Sequence, residues 1–190
     1  MRVLICLVVI GCTLLSGCAG VIVAGAATGA SASQDRRTLP TQLEDENIEL
    51  KTLAALFKND EIWKDTNIEG ISYNNIVLLV GQAPTASLKE KAEEEVSKIQ
   101  KVKKIYNQIK IAAPISFFAK RNDEYLTSKV KSIMLFKKRF PSGKIKVVTE
   151  NSEVFLLGLV TQDEAERAVE LARNVDGVSR VIKVFEILDN

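Results

Sequence analysis

Ser72-Tyr-Asn-Asn-Ile-Val-Leu-Leu-Val-Gly-Gln-Ala-Pro84 returns later in the chain as Thr149-Glu-Asn-Ser-Glu-Val-Phe-Leu-Leu-Gly-Leu-Val-Thr161. In each copy an Asn-led pair, Asn74-Asn75 or Asn151-Ser152, separates two apolar runs, the second of which reaches Gly81 or Gly158. Asn tolerates the positive φ that a two-residue hairpin turn demands. The runs Ile68–Tyr73 with Ile76–Gly81, and Ile145–Glu150 with Glu153–Gly158, are therefore predicted β-hairpins, and the second strand of each is the core strand.

The copies stand 77 positions apart, as Gly81 and Gly158 show, and the same spacing aligns Leu53 with Val130, Leu56 with Ile133 and Trp63 with Phe140. Beyond the hairpin the spacing is 76, pairing Ile99 with Val175, Val102 with Val178 and Ile105 with Val181. A pattern that survives a one-residue loop change marks a duplicated domain. A solenoid has shorter units and needs at least three of them.

The chain has 190 residues, 46% of them apolar, and a net charge of +2, which is globular material with a small core per repeat. It contains no His, so the side chain best suited to proton transfer at neutral pH and to metal ligation is missing. The three cysteines, Cys6, Cys12 and Cys18, all precede the repeats, leaving those without a disulfide, a thiolate zinc site or a cysteine nucleophile. Paired acids such as Glu93/Glu94 and Asp163/Glu164 lie where helix termini and solvated faces carry them. No nucleophile stands beside a base and no glycine loop is built to cradle phosphate. The expectation is a non-enzyme with no cofactor and no metal.

At the N-terminus, Arg2, the apolar run Val3–Leu15 and the small residues after it have the order of a secretory signal. That run is shorter than the ~20 residues of a membrane-spanning helix. A retained transmembrane anchor is the alternative, since no charge falls between Arg2 and Asp35, but Gly17, Gly20, Gly25 and Gly29 are poor helix formers. Leu15-Ser16-Gly17-Cys18 resembles the lipobox of bacterial lipoproteins, and the resemblance implies that Cys18 is acylated and begins the mature chain. Ala19 after it implies, by the same resemblance, sorting to the outer membrane, facing the periplasm. Several acyl chains on one residue give stable attachment. Export and near-neutral charge leave nucleic acid an improbable partner.

The segment from Ala19 to about Gln42 is rich in Ala, Gly and Ser, contains Pro40 and reads as a flexible tether. The division that follows is a signal peptide at 1–17, a lipidated N-terminus and tether at 18–43, a first domain at 44–112 and a second at 113–190. In the first, Leu50, Leu53, Ala54 and Phe57 are predicted to face inward from one helix and Leu88, Ala92, Val96 and Ile99 from another. Ser87 and Glu90 have capping-box spacing, and Lys104–Ile111 is the last strand. In the second, Leu126, Val130, Ile133 and Met134 form the first helical face. Thr161 and Glu164 form a capping box, Ala165, Val169, Ala172 and Val175 the second face, Gly177 a stop signal and Arg180–Leu188 the last strand. The joint Ala112–Ala119 is apolar, and Phe117 and Phe118 either pack the two domains together or lie over one of them.

The order helix, two strands, helix, strand, with Val154-Phe-Leu-Leu-Gly158 followed by Val175-Asp-Gly-Val-Ser-Arg-Val181, resembles the BON domain. The earlier copy has Val77–Gly81 and Ile99-Gln-Lys-Val-Lys-Lys-Ile105, with Lys101 where the later one has Gly177. Lipobox, tether and two repeats together are similar to the dual-BON-domain outer-membrane lipoproteins. The resemblance implies an α+β fold, each domain a three-stranded mixed sheet with two helices on one face (αββαβ). It also implies no catalytic activity, binding of anionic phospholipid and a part in envelope integrity.

Helical spacing places Tyr125, Lys129, Ser132 and Phe136 on one stripe, and the segment 122–139 holds five bases against two acids, net +3. The corresponding segment 44–61 holds six acids and two bases, net −4. The second domain is therefore the one expected to meet an anionic membrane, at about 1 kcal/mol per base. The candidate phospholipid-binding residues are Tyr125, Leu126, Lys129, Lys131, Leu135, Phe136 and Leu159. The bland alternative is that Tyr125 and Phe136 complete a small core and the lysines solvate a helix. The second functional reading is a periplasmic adaptor that binds an envelope protein or peptidoglycan through the first domain. The chain is expected to be a monomer.

Overall fold

The computed structural model describes residues 35–188. The signal sequence, Cys18 and the tether as far as residue 34 lie outside the described residues. The first domain runs α1 (Leu39–Lys58), the short α2 (Asp60–Asp65), β1 (Asn67–Tyr73), β2 (Ile76–Ala83), α3 (Ala86–Ser97), β3 (Lys104–Asn107) and β4 (Lys110–Ile111). The second runs α4 (Phe117–Phe136), a 3-10 turn, β5 (Ile145–Glu150), β6 (Glu153–Val160), α5 (Gln162–Arg173) and β7 (Arg180–Ile187). In both, the central strand pairs antiparallel with its hairpin partner and parallel with the last strand, giving the orders β1-β2-β3 and β5-β6-β7. In the first domain that last strand is split, because the buried Ile109 interrupts it between β3 and β4.

Both hairpin turns have positive φ at both central residues: 52° and 66° at Asn74 and Asn75, 49° and 62° at Asn151 and Ser152. Such turns point backbone N–H groups away from the ladder, and a buried carboxylate receives them. Asp45 of α1 accepts from the Asn74 and Asn75 amides, both at 2.8 Å, and from the Ser72 hydroxyl at 2.7 Å. Asp123 of α4 accepts from the Asn151 and Ser152 amides, both at 2.8 Å. Reading onward from each aspartate, α1 buries Ile48, Thr52 and Leu56, and α4 buries Leu126, Val130 and Met134. The helices thus correspond at a spacing of 78 (Asp45 with Asp123), one more than the hairpins.

That one residue corrects the expected core of the first domain. Leu50, Leu53, Ala54 and Phe57 do not face inward, and Leu53 is 53% exposed. Leu53 is the counterpart of Lys131 rather than Val130, Leu56 pairs with Met134, and Ile62 rather than Trp63 takes the place of Phe140. Ile133 likewise faces outward from α4. Two helix starts also move. Thr38 caps α1, with Pro40 in its first turn where a fixed φ is tolerated, so the helix begins inside the stretch read as tether. Thr85, not Ser87, caps α3. The capping box of Thr161 and Glu164 is present on α5. Gly177 has φ 99°, and Lys101, in the corresponding turn, adopts the same left-handed region at 70° despite its side chain.

The continuous apolar runs of β2 and β6 serve two cores at once. Val77 and Leu79 point to α1 and α3, and Val154, Leu156 and Val160 to α4 and α5. Leu78 and Val80 meet Phe155, Leu157 and Leu159 in a third cluster, which also takes in Ile71, Tyr73 and Val184. The two sheets therefore stack face to face, with each domain's helices on the outside. Phe117 and Phe118 take no part in this contact, because both are exposed at the start of α4.

Polar groups fasten the rim of the stacked sheets. Lys146 reaches Glu49 at 2.7 Å, Asn74 donates to Glu186 at 2.9 Å, and Gln82 donates to Glu150. The residues just before α1 bridge both domains. Arg36 pairs with Glu164 and donates to the Leu159 carbonyl at 3.0 Å, while Arg37 pairs with Asp45 at 2.8 Å and lies over the Tyr73 ring. Burial and the charge of Asp35 push the Tyr73 hydroxyl up to about 12. At Glu164 burial acts upward, but donors from Lys144, the Thr161 amide and Arg36 prevail and hold the carboxyl down to about 2.

Two outcomes follow for unfolding in urea. Asp123→Asn, whose amide nitrogen cannot accept, is expected to lose roughly 1–3 kcal/mol, whereas exposed Glu124→Gln changes stability by less than about 0.5 kcal/mol. Leu157→Ala in the second domain is expected to cost roughly 2–4 kcal/mol. It should lower the midpoint reported by the fluorescence of Trp63, in the first domain, as far as the midpoint reported by circular dichroism. A Trp63 transition that stays in place would show that the domains unfold independently.

Candidate functional site

α4 is capped by Ser116, whose hydroxyl accepts from the Ala119 amide at 3.2 Å, and continues unbroken to Phe136. With Asp123, Leu126, Val130 and Met134 turned inward, the opposite side carries Phe118, Tyr125, Lys129, Ser132 and Phe136 along one line. At 1.5 Å per residue that line is roughly 27 Å long. Phe118 is 83% exposed, Tyr125 61% and Phe136 84%, an arrangement that burial within the domain does not account for. The Lys129 ammonium lies 5.9 Å from the centre of the Tyr125 ring and 3.4 Å from the Asp176 carbonyl, so its charge sits beside the aromatic surface. Lys131 and Leu135 are exposed on the adjoining flank, and Lys137, Lys138 and Arg139 extend the positive charge beyond the helix end.

Six of the seven residues singled out from the sequence lie on α4, and five of them, Tyr125, Lys129, Lys131, Leu135 and Phe136, are turned away from its buried side. Leu126, on the inward side of that helix, and Leu159, on β6, are corrected. Leu126 is 1% exposed, because it lies one helical turn from the anchored Asp123 on the inward side. Leu159 is 9% exposed, because alternation along β6 turns it into the layer between the sheets. Phe118, expected in the joint, belongs instead to this helix surface. Its spacing of seven from Tyr125 was the available signal.

The surface is suited to partition and charge attraction rather than to bond-making. It presents apolar rings and cations, with no carboxylate turned toward them from the line itself. Among the described residues no cluster of three or more metal-ligating side chains occurs, and no helix is long and apolar enough to cross a membrane.

Comparison with known proteins agrees with the duplication. The BON domain profile matches residues 44–113 and again 122–189. The chain is 38% identical to the outer membrane lipoprotein DolP of Haemophilus influenzae over 183 residues, covering 96% of this chain and 95% of that protein. It is 38% identical to a 21 kDa hemolysin of Actinobacillus pleuropneumoniae, covering 80% of this chain and 78% of the other. To the osmotically-inducible protein Y of Escherichia coli K12 it is 30% identical, covering 73% and 70%. The chain belongs to the BON-domain family and is a lipid-anchored outer-membrane lipoprotein with two such domains in tandem.

Proposed function

We propose that the protein is a non-catalytic binding component of the envelope whose second domain docks on anionic phospholipid through the outer face of α4. The observation that supports this best is the line Phe118, Tyr125, Lys129 and Phe136, three exposed aromatics and a half-buried cation on one helix. Aromatic rings favour the headgroup zone, where their apolar bodies leave water, and lysine meets phosphate there. Lys131, Lys137, Lys138 and Arg139 add long-range attraction at about 1 kcal/mol each near an anionic surface. This suffices to orient a protein already held by acyl chains on Cys18. By keeping the folded part on the bilayer surface, the contact supports the integrity of the envelope.

The test uses the unlipidated mature chain, with Cys18→Ser, so that the acyl anchor does not mask the contact. Co-sedimentation is expected with vesicles containing phosphatidylglycerol, to fall with added salt, and to be weak with phosphatidylcholine alone. Phe136→Ser should weaken it at least about tenfold, since withdrawing a ring from the interface forfeits roughly 1.5–3 kcal/mol. Tyr125→Glu should abolish it, with circular dichroism unchanged in both variants. Wild-type binding by Tyr125→Glu would overturn the reading.

A further inference from the structure

Of the residues the correction of register turns outward, those on α1 carry the further inference. Leu39, Leu43, Leu50, Leu53 and Phe57 are all exposed, and their spacing is that of alternate three- and four-residue steps with Glu46 at the remaining position. Five apolar side chains on one exposed side of a folded helix are unusual for a surface, and the period of 3.5 is the seam a second helix packs against. Trp63 extends the apolar surface past Phe57, its ring 4.9 Å away.

A groove gives the seam depth. Between α1 and the edge strand β1, Leu50, Leu53, Leu56, Ile68 and Gly70 line a cleft of about 520 Å³. Gly70 holds the two elements close, because a Cβ there would come within 2.3 Å of the Thr52 methyl. The second domain has the same cleft between α4 and β5, but it is only about 200 Å³ and Lys131 stands on its rim in the position of Leu53. Ser128 and Lys131 are the counterparts of Leu50 and Leu53, and Lys146 of Glu69. One architecture therefore carries opposite charge and opposite polarity at matching positions.

The rim of the larger cleft is acidic, with Glu46 and Glu69 beside Glu49, whose carboxylate is already paired with Lys146 at 2.7 Å. Charge decides among the occupants. An anionic bilayer is repelled. A second copy of this helix would set Glu46 and its neighbours against their own kind. A further strand on β1 is limited, because Glu49 already takes the outward-facing Ser72 amide at 2.8 Å and Lys146 contacts the Ser72 carbonyl at 3.4 Å. We infer that the α1/β1 face of the first domain receives an amphipathic, basic α-helix of another protein. Apolar residues at heptad spacing lie along Leu43, Leu50, Leu53 and Phe57, and Lys or Arg lies opposite Glu46 and Glu69. This surface is separate from the lipid-facing α4.

The test measures fluorescence anisotropy of two labelled synthetic helices with leucine at heptad positions, one flanked by lysine and one by glutamate, against the mature chain carrying Cys18→Ser. The lysine peptide is expected to bind at least tenfold more tightly than the glutamate peptide. Leu50→Ser combined with Leu53→Lys, the residues the second domain uses at these places, should weaken it at least tenfold without moving the Trp63 unfolding midpoint. Tyr125→Glu should leave peptide binding intact, which separates this outcome from failure of the lipid reading. Amide shifts on peptide addition should centre on α1 and on Ile68–Gly70. Equal binding of both peptides, binding unaffected by the double variant, or shifts centred on the second domain would overturn the inference. Dimerisation of the chain alone, or vesicle binding, would overturn it too if abolished by Leu53→Lys.

Discussion

Each domain is organised by a carboxylate buried under a hairpin turn. A two-residue turn with positive φ at both positions leaves amide groups that the strand ladder does not use, and Asp45 and Asp123 accept them at hydrogen-bond distance. Because the aspartate is on the long helix, the bond fixes that helix's rotation about its own axis. Residues three, seven and eleven positions further on must then face the sheet, as Ile48, Thr52 and Leu56 do in α1 and Leu126, Val130 and Met134 in α4. Whatever else the helix carries is turned to solvent. The outer surfaces are set, at one remove, by where the aspartate sits.

The second constraint is the stacking of the two sheets. Once Leu78 and Val80 pack on Phe155, Leu157 and Leu159, neither sheet has a face left for a ligand. The outer helices and the sheet edges are all that remain. Duplication would give these outer surfaces the same character, yet the first carries net −4 and the second net +3 over corresponding segments. Fold and core are shared between the copies, whereas the solvent faces have opposite sign. The contrast lies mainly in residues outside the shared core, such as Leu53 against Lys131 and Glu69 against Lys146.

The hairpins were legible because the turn chemistry is local. Asn-Asn and Asn-Ser between apolar runs have few other uses, and the capping box at Thr161 is equally self-contained. The face of α1 was not legible from the hairpin spacing, since one residue fewer between helix and hairpin rotates the assignment by about 100°. Leu50, Leu53 and Phe57 then looked like core by composition, while the true core includes Thr52 and the charged Asp45. Leu159 was misplaced for a related reason. The unbroken apolar run Val154–Val160 was the signature of a strand buried on both faces, and its alternate residues belong to a second contact rather than to a surface patch. Of the candidate site, the charge and the aromatic residues could be read from the sequence, because they lie on one helix at helical spacing. Its continuation to Phe118 is hidden in an apolar joint whose last three residues, 117–119, are the first turn of α4.

The layered arrangement bears on how two charged faces can work at once. α1 and α4 lie on opposite outer sides of the stacked sheets, separated by two helix-on-sheet spacings and one sheet-on-sheet spacing, each about 10 Å. Their axes are therefore roughly 30 Å apart, whereas the Debye length at physiological ionic strength is about 8 Å. With α4 on acidic headgroups, the field of the membrane is largely screened before it reaches Glu46 and Glu69. The acidic face is then neither repelled from the bilayer nor covered by it, and its apolar seam points away from the lipid. A single basic surface carried through both domains would press each helix toward the same membrane and leave nothing exposed for a protein partner. Opposite charge on opposite layers would let the proposed lipid contact and the inferred helix contact coexist on one tethered molecule.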